Sequence, residues 1–283
     1  MSLAAAMLTR RPLRSMAGRL EAMVAGHLAP LATLLVYLFL FIPLLVLMVY
    51  SFNAAQSTVV WTGFTFDWYG EVLGDKGLKR ALVTSLITAG AAASVSTAIG
   101  TVTALAVVKR SFPGRDLLST ALMAPLVLPE IVIAVAFLVL MVFAHVRLGY
   151  FTLITGHVLV TIPFTTLIVR AAASALDKRL EEAAADLGAD EWQVFRRVTL
   201  PLLMPAMLTA FLLAATLSFD NFTMSIFASG VGTTTLPLRI YSMLKLGITP
   251  EINALGTLLI LLNVLLVVAI GGRHIRLLAR RAR

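Results

Sequence analysis

Two acids stand where acids are costly. Glu130 lies in PLVLPEIV at 125–132, about midway along an apolar run, and Asp220 lies in LSFDNF at 217–222 beside Asn221. A carboxylate inside a bilayer costs at least about 2.5–3.5 kcal/mol on insertion scales, so an acid kept there is by default functional. Pro125 and Pro129 precede Glu130 and can free carbonyls of the preceding turn, adding backbone acceptors to the carboxylate. Each acid also has a structural reading: Glu130 as a cap or as the partner of a basic residue on another chain, Asp220 as a bond to broken backbone near Ser218. Other chemistry is missing. There is no cysteine, hence no disulfide, no thiolate metal site and no cysteine nucleophile. No Gly-x-x-x-x-Gly-Lys-Ser/Thr loop is present to cradle a nucleotide's phosphates, and no His-Glu-x-x-His. The four histidines are scattered and read as loop or headgroup residues rather than metal ligands. No nucleophile–base pair stands out, so the chain is read as a conduit and not an enzyme.

The elements that position these acids must cross a membrane. Of 283 residues, 59% are hydrophobic and 13% charged, and the mean hydropathy is +0.94. A soluble domain carries about 45–50% apolar and about 25% charged residues. A span needs roughly 20 mainly apolar residues. The sequence predicts six, near Leu28 to Tyr50, Ala81 to Val108, Ser119 to Phe143, Tyr150 to Ala175, Leu202 to Phe227 and Ile252 to Gly271. The second is rich in small residues, Ala89, Gly90, Ala91, Ala92, Ala93, Ser94, Ser96, Ala98 and Gly100, which let helices approach closely in lipid. The first is too long for a signal peptide's apolar core and no small-x-small cleavage site follows it, so it reads as an uncleaved span.

The net charge of +9 is a matter of topology and lipid, not of nucleic acid, because the cations cluster between the apolar runs. With the N-terminus in the cytoplasm, that side holds Arg10, Arg11, Arg14 and Arg19, then Lys109, Arg110 and Arg115. It also holds Arg170, Lys178, Arg179, Arg196 and Arg197, and finally Arg273, Arg276, Arg280, Arg281 and Arg283. The outer side holds only Lys76, Lys79, Arg80, Arg147, Arg239 and Lys245. Both termini are therefore expected in the cytoplasm. The organisation is a basic tail over 1–27, a six-span domain over 28–272 and a basic tail over 273–283.

One cytoplasmic connection is itself structured. Residues 176–200 read LDKRLEEAAADLGADEWQVFRRVTL. Asp177 is a plausible N-cap, Glu181 and Glu182 favour the first turns, and Leu176, Leu180, Ala183, Ala184 and Leu187 recur at helical spacing. Gly188 supplies a stop, Asp190 can cap a second short helix with Trp192, Phe195 and Val198, and Pro201 is expected to close it. Two readings stand: a surface helix pair lying on headgroups, or a docking element for a cytoplasmic partner. On the outer side, Trp61, Phe64, Phe66, Trp68 and Tyr69 read as an interface belt or as a docking surface. Leu236 to Gly247, with Tyr241, is a second outer amphipathic segment.

The run Glu182-Ala183-Ala184, three residues, Gly188, nine residues, then Val198-x-Leu200-Pro201 resembles the EAA loop of permease subunits of bacterial ABC importers. It departs only in Val198 for Ile. PLVLPEIV, LSFDNF, TGFTFDWY at 62–69 and TTLPLRIYSMLKLGITPEINAL at 234–255 are similar to permeases of the spermidine/putrescine type, over roughly residues 30–270. The resemblance implies an all-α integral membrane protein with the type I ABC importer permease fold, in the bacterial inner membrane. It implies that the loop 176–201 couples to a dimer of ATP-binding subunits through Glu181, Glu182, Ala183, Ala184, Asp186, Gly188, Leu200 and Pro201. It implies a second permease, forming a pseudo-symmetric heterodimer, and an extracytoplasmic substrate-binding protein. The chain would bind no cofactor, ATP and Mg residing on the partner ATPase. A polyamine wants carboxylates at its amines and aromatic faces along its stem, which points to Glu130, Asp220, Asn221 and Tyr241 for the substrate path. Polyamine permeases carry an acidic pair where this chain has Asp220-Asn221, so one charge is missing. 4-Aminobutyrate, another amino-acid-like cation, thiamine and ferric ion stay open as substrates, and a stand-alone secondary carrier or a scaffold without transport as other classes.

Overall fold

Backbone in lipid has to satisfy its own hydrogen bonds, and apolar runs of this length do so as helices. The computed structural model describes residues 10–56, 60–247 and 249–281, so residues 1–9 and 282–283 of the two basic tails, Arg283 included, lie outside the described residues. The helices are α1 (Arg10–Tyr50), α2 (Asp67–Gly74), α3 (Lys76–Lys109), α4 (Arg115–Val127), α5 (Glu130–Phe143), α6 (Tyr150–Ala175), α7 (Arg179–Asp186), α8 (Glu191–Val194), α9 (Leu200–Phe219), α10 (Phe222–Ala228), α11 (Leu236–Leu246) and α12 (Pro250–Arg281). A π turn, Phe195–Thr199, joins α8 to α9. Among the described residues four stretches are long and apolar enough to cross a membrane: Leu28–Tyr50, Lys76–Lys109, Tyr150–Ala175 and Glu191–Phe219. α12 adds the shorter apolar stretch Pro250–Leu265.

Two of the expected spans are not continuous. The third divides into α4 and α5, bent by 110°. Pro129 lacks an N–H and disfavours helical backbone in the residue before it; Leu128 accordingly sits at φ −76°, ψ 142°. Glu130 is thus not midway along a helix but in the first turn of α5, where the helix dipole favours an acid. The fifth stops at Phe219. Asn221 is extended at φ −73°, ψ 101° and starts α10 by accepting the Met224 N–H on its side-chain oxygen at 2.8 Å. Pro201, expected to end a helix, does not. The backbone runs on from Glu191 to Phe219, and the wider π turn ahead of Pro201 relieves the crowding its ring would cause.

The residues group into two units, one of the chain before Leu73 with the chain after Gly247, the other Leu73–Gly247. In the first, α1 packs on α12. Buried Asn53 organises the outer segment: its amide donates to Val60 O at 2.7 Å and its oxygen accepts the Thr62 N–H, while Trp68 Nε1 donates to Asn53 O at 2.8 Å. Phe52 stacks on Phe64 at 4.9 Å, and Trp61, Phe64 and Phe66 stay exposed.

In the second unit α3 lies against both α6 and α9. Ala89, Ala92, Ala93, Ser96 and Gly100 are all buried, whereas Ser94 and Ala98 face outward. A Cβ on Gly100 would stand 2.4 Å from Thr165 Oγ1 and 2.9 Å from Thr166 N, so only glycine permits this approach of α3 to α6. Ala104, Val169, Ala173, Leu203 and Ala210 form one core; Ala134, Phe137, Leu153, Met224 and Ala228 form another, beneath the two breaks.

Candidate functional site

The two breaks meet. Asn221 Nδ2 donates to Glu130 Oε1 at 2.5 Å, although 91 residues separate them in sequence. Both side chains are half-buried, and among the described residues no other hydrogen bond engages the Glu130 carboxylate. Asp220 is the C-cap of α9, where its N–H closes on Thr216 O, and it is exposed. Phe222, next in line, meets the ring of Tyr241 on α11 at 4.8 Å. Tyr241 also carries the ammonium of Lys245 over its face at 4.8 Å. Glu130, Asn221 and Tyr241 are thus linked through Asn221 and Phe222, with Asp220 adjoining. Such a place offers carboxylate oxygens and an aromatic face to a cation.

Beneath it lies a group that the sequence reading put elsewhere. His157, on α6, is not a loop or headgroup residue: it is 1% exposed, with Nδ1 2.7 Å from Ser218 Oγ and Nε2 3.2 Å from Ser225 Oγ. The signal was available, since an ionisable side chain inside an apolar run is what singled out Glu130.

At the other end of α3, α7 and α8 present one face and anchor another. Ahead of α7 the Asp177 carboxylate accepts the Arg179 N–H at 3.0 Å, the bond an N-cap makes, and Lys178 between them already has helical backbone. Gly188 turns the chain at φ +88°, a conformation that costs other residues about 1–2 kcal/mol. Asp190 caps α8 through Gln193 N at 2.8 Å. Glu182, Ala183, Asp186, Leu187 and Gly188 are exposed, as is Trp192, while Ala184 is half-buried. Leu200 and Pro201 belong to the first turn of α9, half-buried and exposed respectively.

Glu181 turns the opposite way. One carboxylate oxygen accepts from Lys109 Nζ, at the end of α3, and from the buried Thr199 hydroxyl at 2.5 Å. Burial works to raise the Glu181 carboxyl, but the hydrogen bonds from Lys109 and Thr199 and the charges of Lys109 and Lys178 outweigh it and hold it below the ordinary glutamate range. The next residue, Arg110, pairs with Glu191 of α8 at 3.1 Å. Consecutive cations at the end of α3 therefore tie down both α7 and α8. Nothing in the local sequence marks these pairs, whose members lie 72 and 81 residues apart.

A profile of the binding-protein-dependent transport system inner membrane component family matches residues 96–283. The spermidine/putrescine transport system permease protein PotC of Escherichia coli (strain K12) is 38% identical over 234 residues, 83% of this chain and 89% of that one. The putrescine transport system permease protein PotI of the same strain is 38% identical over 234 residues, 80% of this chain and 83% of that one. In fold, a bacterial ABC transporter involved in the import of the acidic polysaccharide alginate matches with a TM-score of 0.67 at 16% identity, over 89% of this chain and 97% of that chain.

Proposed function

The chain belongs to the family of binding-protein-dependent transport system inner membrane components, and on that premise we propose that it is one permease of an ABC importer that carries a polyamine-type cation. It is a multi-pass inner-membrane transport component. In this reading it has six spans, counting the bent pair α4–α5 as one and α12 as the sixth, with both termini in the cytoplasm. A second permease completes the pathway, an extracytoplasmic binding protein delivers the substrate, and a pair of ATP-binding subunits docks on the exposed side of α7 and α8. ATP and Mg belong to those subunits.

The observation that carries the substrate reading is the contact of Asn221 with Glu130. Polyamine permeases carry an acidic pair where this chain has Asp220 and Asn221. Glu130, from another helix, bonds the side chain of the residue next to Asp220, so in this reading the two carboxylates serve two ammonium groups. Tyr241 supplies an aromatic face beside them.

Asp220→Asn tests this. The change is nearly isosteric and leaves no charge stranded, so abundance should hold. Uptake of spermidine or putrescine should fall about tenfold, the equivalent of about 1.4 kcal/mol lost from a state along the path. Substrate binding by the separate binding protein should not change. Normal uptake by both Asp220→Asn and Asp220→Ala would make this acid structural.

A further inference from the structure

Hydrogen bonds around His157 have a direction that the geometry fixes. Ser225 Oγ lies 2.6 Å from the Asn221 carbonyl, which can only accept, so the single Ser225 proton is committed there. Ser225 Oγ must then accept from the imidazole, which places a proton on His157 Nε2. In the neutral ring Nδ1 is left as an acceptor, and the Ser218 hydroxyl donates to it. Asn221 is fixed in turn: its oxygen takes the Met224 N–H, so its amide NH2 must be the end that faces Glu130. Every donor in the series points the same way, from Ser218 through His157, Ser225 and Asn221 to the Glu130 carboxylate.

The imidazole spans the break itself. Ser218 lies on α9 before it and Ser225 on α10 after it. We propose that His157 is a positioning residue for transport, holding the Asn221 backbone at the break so that the Asn221 amide donates to one Glu130 oxygen and leaves the other for a substrate ammonium. This rests on the reading of Glu130 as part of the substrate path. His157 touches no substrate; it acts through Ser225 and Asn221.

The test separates the two ring nitrogens. Glutamine at 157 carries an N–H near the position of Nε2 and keeps the arm to Ser225. Asparagine reaches only the position of Nδ1 and keeps the arm to Ser218. The complete importer, with its second permease, ATPase and binding protein, is reconstituted and spermidine uptake is measured against the concentration of loaded binding protein. His157→Gln should retain the maximal rate within about threefold, while His157→Asn should lower it about tenfold, close to 1.4 kcal/mol, at unchanged KM. In a Glu130→Gln background His157→Asn should cost less than about twofold more, because the residue it positions is already gone. Ser225→Ala, which breaks the series with little change of volume, should repeat the His157→Asn pattern and serves if that variant is poorly made. Equal losses for Gln and Asn, or a full independent loss in the Glu130→Gln background, would overturn the positioning role while leaving the path through Glu130 intact. Wild-type uptake by Glu130→Gln alone would overturn both.

Discussion

Replacing Lys109 by Glu should uncouple ATP hydrolysis from uptake, and the same change at Arg110 should not. Both cations tie α3 to the cytoplasmic helices, but in different surroundings. The Lys109 and Glu181 side chains are 33% and 25% exposed, against 70% and 89% for Arg110 and Glu191. An exposed ion pair contributes about 0.2–1 kcal/mol, and a shielded hydrogen bond to a charged group about 1.5–3 kcal/mol. Glu181 lies between these limits and shares its oxygen with Thr199, so the Lys109 tie is worth about 1–2 kcal/mol, a factor of about 5–30 in an equilibrium it biases. Arg110 with Glu191 falls at the bottom of the exposed range. The assay is uptake and ATP hydrolysis measured together in proteoliposomes holding the complete importer. Lys109→Glu sets two carboxylates face to face and should cut uptake per ATP about fivefold or more at normal abundance. Glu181→Lys should do likewise, and the double exchange should recover most of the loss. Arg110→Glu should stay within about twofold. Equal effects of Lys109→Glu and Arg110→Glu, or no recovery in the double exchange, would refute the reasoning. The sign of the pH dependence follows from the lowered Glu181 carboxyl. Its contribution is complete above the ordinary value of 4.5 and is lost only as pH falls through the lower folded value, so coupling should be flat across cytoplasmic pH.

Two glycines give further tests. At Gly188, where an added Cβ meets nothing within 4 Å among the described residues beyond its chain neighbours, Ala pays about 1–2 kcal/mol for the positive φ and Asp less, but only Asp brings a charge to the docking face; Gly188→Asp should abolish uptake at normal abundance while Gly188→Ala retains much of it, and equal uptake by the two would remove the docking role. Gly100→Ala should lower the melting temperature in detergent through about 1–3 kcal/mol of overpacking against Thr165 and Thr166, whereas Gly90→Ala, with open space around it, should be neutral; similar melting curves would contradict the close approach of α3 to α6.

What could be read from the sequence was what local pattern encodes. Apolar length gave the long helices, and the spacing from Glu182 to Pro201 gave the loop, including the turn at Gly188. Cap chemistry was legible: Asp190 accepts the Gln193 N–H and Asp177 the Arg179 N–H, as their types suggest. His157 escapes a local reading because a run broken by a single polar residue still reads as apolar and its partners lie more than sixty positions away, whereas His145 is an exposed turn residue as expected. Lys109 and Glu181 were each noted for their charge, but which charge faces the spans and which faces outward depends on how α7 sits on α3, and no local periodicity carries that.

The breaks show why the candidate site resists a linear reading. A proline announces a break wherever it lacks room, and Pro129 gives one that the residue types alone made plausible. Asn221 announces nothing, since an amide inside an apolar run is as compatible with a continuous helix as with a cap. Once Asn221 caps α10, however, its oxygen is used by Met224 N–H and its nitrogen has to find an acceptor. Glu130, set at the start of α5 by the other break, is that acceptor. Each interruption leaves polar groups that the other satisfies. A change that straightened one helix would therefore leave a half-buried polar group of the other without its partner, which couples the two breaks.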